Sequence, residues 1–403
     1  EEDAISKLPE DLLCHILSFL PTKEAASTSA LSKRWRNLFI LLDSLDLDDT
    51  IFLAYKRHAR RCERTTFMEF VNRVRGLQSN SPLTKFSLRC HRGVDEDLVN
   101  DWVLKALRRG ATDLGLGCGK IGLFDRLTRG DLIFTKLQTL HLYSIPLGYR
   151  GTVLALFLSK CPVLEDACID LHTRGDPGTF LAFNTPNLVY LNYSDSIPRN
   201  YPLVKMDALV EARLDVGLSK RHMRVRDSYN RHRVRMDATK LIMGIQNVQT
   251  LGLSSVTLQV LSFLGETVPV FHNLNRLSIE SNDKGGWHLL LLLLIKSPNL
   301  HTLVFHGLNH MLTDGFSDGI SPFASSSSLC LSSCPVKILK ILEFGATPAE
   351  MSLVGHLLNK LPLLEQVIIV SSEEDDEDFD LFAVSEALEM APRASQNCKL
   401  QLC

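Results

Sequence analysis

The ten cysteines of this 403-residue chain contain no C-x-x-C pair and no regular spacing. That excludes the usual zinc-ribbon and thioredoxin arrangements and favours reduced, mostly buried thiols in the cytosol or nucleus over a disulfide scaffold. An excess of one charge is missing too: the formal net charge is −2. Wholesale nucleic-acid binding, which needs a basic excess, is therefore unlooked for. No apolar run approaches the roughly 20 residues that cross a bilayer. The greasiest, Trp287 to Ile295, is far shorter. No charged-then-apolar leader opens the chain, which starts Glu1-Glu2-Asp3. G-K-[ST] and H-E-x-x-H are both absent, and with them the common P-loop and zinc-protease readings. Gly115-Leu116-Gly117-Cys118-Gly119 lacks the spacing of a dinucleotide loop and reads as a turn. His301, His306 and His310 have no cysteine or carboxylate set to complete a tetrahedral metal site. No catalytic residue, metal or cofactor is expected.

What the chain does contain is concentrated first at its front. Leu12, Leu13, Ile16, Leu17 and Leu20 form one wide helical stripe. Pro9 suits a first helical turn, and Glu10 and Asp11 favour the positive end of the helix dipole. Pro21 closes that helix or opens the next, which Thr22 is placed to cap and which runs to Leu31. Ser32 caps a third helix carrying Lys33, Arg34, Trp35, Arg36 and Leu38. Helices this short bury too little area to stand alone. They are either a bundle capping the rest of the chain or a module that docks on another protein, and spacing does not decide which side of each stripe faces outward.

The second concentration is a repeat. The template L-x-x-L-x-L recurs eleven times, from Leu83, Ala111, Leu137, Leu164, Leu188, Leu209, Val248, Leu274, Leu300, Leu339 and Leu364. Most copies start 21 to 28 residues apart, and two intervals are 39. Alternation at the end of the template is strand periodicity. The helix-like spacing that follows, as at Val153 to Leu158 and Leu289 to Ile295, supplies a return segment. One strand and one return per copy is a leucine-rich repeat, and stacked copies make an α/β solenoid with a curved parallel sheet, a horseshoe. The asparagine expected three residues past the last leucine appears once, as Asn282, so the array should be irregular. Copies at Ala111 and Leu164 match weakly.

Outward strand positions are the candidates for binding a target protein. They include His141, Tyr143, Asp170, Tyr190, Asn192, Glu211, Arg213, Asp215, Arg276 and Glu280, with Lys85, Arg89, Asp166, Thr302 and His306 beside them. Aromatics mixed with both charge signs suit a protein or peptide. One long interval holds Lys220, Arg221, Arg224, Arg226, Arg231, Arg233 and Arg235, a solvated loop or an anion site. The other holds Gly315 to Cys334, a serine-rich loop or boundary. An acidic run, Glu373 to Asp380, reads as a self-repelling loop.

The pattern from Ile5 to Arg36, I-S-x-L-P-x-x-L-L-x-x-I-L-S-F-L-P-T-K followed by L-S-K-R-W-R, resembles a plant-type F-box. The end of the chain, strand–helix–strand with a closing P-R-A-S-x-x-C-K at Pro392 to Lys399, resembles the FBD module that follows leucine-rich repeats in many plant F-box proteins. Together they imply an F-box at 1–48, a helical connector at 49–80, irregular repeats at 81–325 and an FBD unit at 330–403. The resemblance implies a non-catalytic, substrate-recognising subunit of a Skp–cullin–F-box (SCF) ubiquitin ligase. Leu8, Pro9, Leu12, Leu13, Ile16, Leu20, Pro21 and Trp35 would face the Skp-type linker, and the repeats would hold the target. A non-ligase interaction protein and a receptor for a small ligand such as an inositol phosphate are the alternatives.

Overall fold

The L-x-x-L-x-L copies fold as parallel strands in register, their second and third apolar positions stacked in two columns. The computed structural model describes residues 5–50, 60–77, 82–90, 94–119, 124–146, 151–171, 180–218, 238–262, 264, 267–280, 287–308, 334–371 and 381–403. The chain forms two compact units, Glu1–Leu188 and Val189–Cys403.

In the first unit, β1 (Ser44–Asp48), β2 (Lys85–Cys90), β3 (Asp113–Cys118), β4 (Thr139–Ile145) and β5 (Asp166–Leu171) pair in sequence order, all parallel; β6 (Phe183–Asn184) is short. Leu45, Phe86, Leu114, Leu140 and Ala167 form one buried column, and Leu47, Leu88, Leu116, Leu142 and Ile169 the other. Each fully buried leucine contributes about 1.5–3 kcal/mol relative to exposure. The copies at Ala111 and Leu164 are full members of this stack.

An additional copy lies inside the segment read as F-box: Leu42-x-x-Leu45-x-Leu47 matches the template and forms β1. The repeats therefore begin before residue 48. Between β1 and β2, α4 (Arg60–Leu77) buries Phe67, Val71 and Val74 at helical spacing. Its Asn72 Oδ1 accepts a hydrogen bond from Trp102 Nε1 at 3.3 Å. Trp102 sits in α5 (Glu96–Arg108), capped by the Asp95 side chain, which accepts from the Asp97 N–H.

Ahead of β1 stand α1 (Glu10–Ser18), α2 (Thr22–Ser27) and α3 (Trp35–Leu38). The last two are shorter than their sequence signals imply, each running on into a 3-10 turn. Thr22 is not the cap expected of it. It is the first helical residue, and its buried hydroxyl accepts the Asp46 N–H of β1 at 2.7 Å. A strand edge left open would present unpaired N–H groups, and the helical tip covers one of them here.

The second unit repeats the scheme. β7 (Tyr190–Ser196), β9 (Glu211–Gly217), β10 (Thr250–Ser254), β11 (Arg276–Glu280), β12 (Thr302–His306), β13 (Ile338–Phe344), β14 (Gln366–Ser371) and β15 (Lys399–Leu402) are parallel neighbours in that order, with β8 (Val204–Lys205) outside the stack. Leu303 pairs with Leu339 and Phe305 with Ile341. The tenth copy thus starts at Val336, not Leu339. The segment VKILKILEF satisfies the template in two frames three residues apart, from Val336 and from Leu339, and only lateral pairing selects one.

Trp287–Ile295 is a helix with Leu290, Leu293 and Leu294 buried, the return segment its repeat position implies. No helix among the described residues is long and apolar enough to cross a membrane. At the end, a helix over Pro348–Lys360 opens with a capping box between Thr347 and Glu350, and a shorter one covers Leu381–Glu389. Arg393 of the P-R-A-S motif donates to the carbonyls of Cys398 (2.9 Å) and Leu388 (3.3 Å), tying the last helix to the last strand.

The missing asparagine ladder is replaced by another. Before several template leucines the chain makes a tight turn, with Leu188 N–H donating to Thr185 (3.1 Å), Leu274 to Phe271 (3.4 Å) and Leu300 to Ser297 (3.2 Å). Pro186 and Pro298 occupy the second turn position, where a fixed φ is an advantage. Asparagine then precedes the leucine, and its side chain donates to the preceding copy: Asn187 to Pro162 (2.8 Å), Asn273 to Asn247 (3.3 Å) and Asn299 to His272 (2.8 Å). Asn299→Ala should lower stability by about 0.5–1 kcal/mol, read as a drop in melting midpoint. An unchanged midpoint would show that this rung carries no load.

Candidate functional site

The stripe of α1 divides into two sides. Leu13 and Leu17 are 0% and 1% exposed, packed with Ala25, Leu38 and Phe39 in the tip's own core. Leu12 and Ile16 are 49% and 44% exposed, and Phe19 is 74% exposed. Residues 12, 16 and 19 are spaced i, i+4, i+7, so they lie on one helix face. Leu20 adds to the exposed set, as do Ile5, Leu31 and Leu41 elsewhere in the tip. So much exposed apolar surface on a small unit marks an interaction site.

This arrangement corrects one expectation. Leu13 cannot face a linker, because the tip needs it inside. Phe19 takes its place on the outer side; its i+7 relation to Leu12 was the available signal. Pro9 and Pro21 stand just before α1 and α2, and their carbonyls accept the Leu13 and Ala25 N–H groups at 3.1 and 3.0 Å. Leu8 is half-buried, and its carbonyl receives the Arg34 guanidinium. Trp35, half-buried, opens α3.

The outward positions of the first unit include Lys85 and Arg89 on β2, His141 and Tyr143 on β4, and Asp166 and Asp170 on β5. Between them β3 offers only Asp113, Gly115 and Gly117. The glycine cluster is thus a strand rather than the turn expected, and it leaves a gap in the face. His141 and Tyr143 stack with ring centroids 6.0 Å apart. The Arg89 guanidinium lies over the Tyr143 ring, 4.9 Å from its centroid. Lys85 pairs with Asp113 at 3.7 Å. Partial burial pushes the Asp166 carboxyl above its ordinary pKa, with His141 pulling the other way and Asp113 adding to the rise.

Ser144 follows at φ 52°, the extra residue of a bulge between β4 and β5. Its N–H and hydroxyl both donate to Asp170 Oδ2, at 3.1 and 2.9 Å. Glu343 (φ 55°) sits at a matching shift between β13 and β14. A left-handed conformation costs a side-chain-bearing residue about 1–2 kcal/mol, so both sites are held by their surroundings.

In the second unit the outward face changes character along the stack. Tyr190 and Asn192 lie on β7; on β9, Glu211 pairs with Arg213 at 3.0 Å, a hydrogen bond that raises the arginine pKa. Ser194 donates to Asp215 at 3.1 Å. Arg213 leans over Gly252, where an added Cβ would stand 3.1 Å from its Cγ. Arg276 and Glu280 flank Ser278, whose hydroxyl lies 3.0 Å from His306 Nε2. Thr302, expected to be solvated, is buried, as is Val304 beside it. Beyond β12 the outward face mixes apolar and polar side chains: Ile338, Lys340 and Leu342 on β13 and Gln366, Ile368 and Val370 on β14 are half-buried, and Lys399 and Gln401 on β15 are exposed. On β14 the run Val367 to Val370 lacks polar alternation, and that was the signal for its half-buried outward side.

Lys220, Arg221, Arg224, Arg226, Arg231, Arg233 and Arg235 lie outside the described residues, as do Asn282, His310, the serine run and the acidic run. Among the described residues no cluster of histidine, cysteine and carboxylates could hold a metal ion.

Comparison with known proteins places these observations. The F-box domain pattern matches residues 5–46. The chain is 38% identical to the Arabidopsis thaliana F-box/LRR-repeat protein At4g14096, over 99% of this chain and 94% of the relative. It is 39% identical to F-box/LRR-repeat protein At3g59210 of the same plant, over 100% and 94%. A third Arabidopsis relative, described as an F-box/FBD/LRR-repeat protein (At3g59240), is 37% identical over 100% of this chain and 89% of its own length.

Proposed function

We propose, from the premise that this chain belongs to the F-box/LRR-repeat protein family, that it is the substrate receptor of a Skp–cullin–F-box ubiquitin ligase. F-box proteins of this kind are, in general, non-catalytic adaptors. α1 and the turns around it seat on the Skp-type linker through Leu12, Ile16, Phe19 and Leu20. The outward strand faces hold a target protein. Ubiquitin transfer is then accelerated by proximity: a bound target keeps its lysines at high effective concentration near the charged carrier.

The observation that supports this most is the split stripe of α1. Leu13 and Leu17 close the tip's own core, while Leu12, Ile16 and Phe19 are left uncovered on the opposite side. A bundle that served only as a cap would have no need of the second side. Capping and docking are compatible here, because Thr22 meets β1 from the inner side.

A stable interface of this type buries on the order of 1,200–2,000 Å² in total. The full chain coexpressed with a Skp-type linker should elute with it as a one-to-one complex. Elution of a folded chain alone, with the linker in excess, would end the docking assignment.

A further inference from the structure

We propose that the outward face of β2 to β5 carries a carboxylate-recognition site, in which Arg89, held across the glycine gap of β3 by Tyr143, pairs with an aspartate or glutamate of an extended target segment. The inference rests on the reading of the repeats as the target-binding part, and it names the chemistry of one place on them.

The gap is a matter of side-chain size. Arg89 and Gly117 are direct partners in the β2–β3 register. A Cβ added at Gly117 would lie 3.4 Å from Arg89 Cγ and 3.4 Å from Tyr143 Cβ. Any larger residue would stand between them. With glycine there, the arginine crosses β3 and rests on a ring two strands away. That ring is itself stacked on His141. A long side chain fixed by a cation–π contact gives up less freedom when it binds, which is the usual advantage of a preorganised anchor.

The charges nearby are already engaged. Asp48 is the register partner of Arg89 on the other side, but its Oδ1 receives the Thr50 N–H (2.8 Å) and hydroxyl (2.7 Å). Asp170 receives both donors of Ser144, and Asp113 is paired with Lys85. Among the described residues none forms an ion pair with Arg89. Its planar set of N–H donors is therefore available, and that geometry matches a carboxylate in bidentate fashion. Arg89 is exposed and Tyr143 is 38% exposed, so both can be reached from solvent. The trough runs along β3, which favours an extended segment, whose alternate side chains enter it while the others stay in water.

The test uses the full chain in complex with its linker and an immobilised array of peptides about twelve residues long. Their central residue is Asp, Glu, Asn, Gln or phosphoserine, in randomised flanks. Asp- and Glu-centred peptides should be retained about tenfold over their amide counterparts. Arg89→Gln should erase that preference, and Gly117→Leu, which fills the gap, should do the same. Arg129→Gln, at an exposed position outside the sheet, should leave it intact. Equal retention of acids and amides, or a preference unchanged in Arg89→Gln, would overturn the proposal; so would retention of phosphoserine peptides alone. Linker capture is scored on the same samples, so a failed array with the complex intact counts against this site and not against the docking reading.

Discussion

A chain carrying Ile16→Asp should lose its Skp-type linker while keeping its fold. Ile16 is 44% exposed in the free chain, so a carboxylate there stays in water and the tip's own core is untouched. In the complex the same carboxylate would be buried without a partner. Penalties at the centre of an interface commonly exceed about 2 kcal/mol, and a loss of about 3 kcal/mol is ~100-fold in affinity. Leu12→Asp should behave alike, since Leu12 stands one turn earlier on the same side. Calorimetric titration of the linker, beside a thermal melt of the free chain, separates the two effects. Wild-type affinity in either variant would mean that this side of α1 is not the docking surface.

Leu13→Ala should do the reverse. Leu13 is fully buried between the helices of the tip, and truncation there removes packing without changing the outer side. Large-to-small changes at such sites cost about 2–5 kcal/mol. The tip is a small unit of short helices with little stability to spare, so a loss of about 3 kcal/mol should unfold much of it. Backbone amides of α1 should then exchange their hydrogens quickly, while those of β9 to β11 in the second unit stay protected. Linker binding would fall as well, but through the fraction of tip that is folded. Should Leu13→Ala keep slow exchange in α1 and bind weakly, Leu13 would belong to the interface after all.

Neighbouring leucines with opposite roles explain what could and could not be read along α1. The stripe itself follows from spacing. Its division follows from where α3 and the turn after it pack, which is a contact between segments more than twenty residues apart. The same limit governs the ends of the repeats. Leu42, Leu45 and Leu47 carry the template openly, yet a stretch already assigned to the helical tip hid them until β1 was seen pairing with β2. In VKILKILEF two frames fit equally, and the pairing of Leu303 with Leu339 picks one. Removing everything up to Asp48 would take β1 out of the sheet along with the tip, so point substitutions are the cleaner probe of docking.

Glycines mislead for a related reason. In one dimension, Gly115 to Gly119 has the look of a turn, because glycine is the residue of turns. In the sheet the same residues are a strand whose missing side chains matter to the strands on either side. The asparagines at 187, 273 and 299 carry a comparable lesson. Each is unremarkable alone, and each becomes a rung only when the next copy is stacked on it.

What the chain's own order of residues settled is local and periodic: three short helices with an apolar stripe, a strand every twenty-odd residues, helical or turn returns between them, and a strand–helix–strand close. These follow from spacing and from turn chemistry, which act over a few residues. What the tertiary structure alone decided is lateral. It chose which leucines of α1 face inward, which frame of an ambiguous strand is used, and that an arginine and a tyrosine far apart in the chain meet over a glycine. Such choices depend on which surfaces come together when the copies stack, and no window of neighbouring residues contains that information.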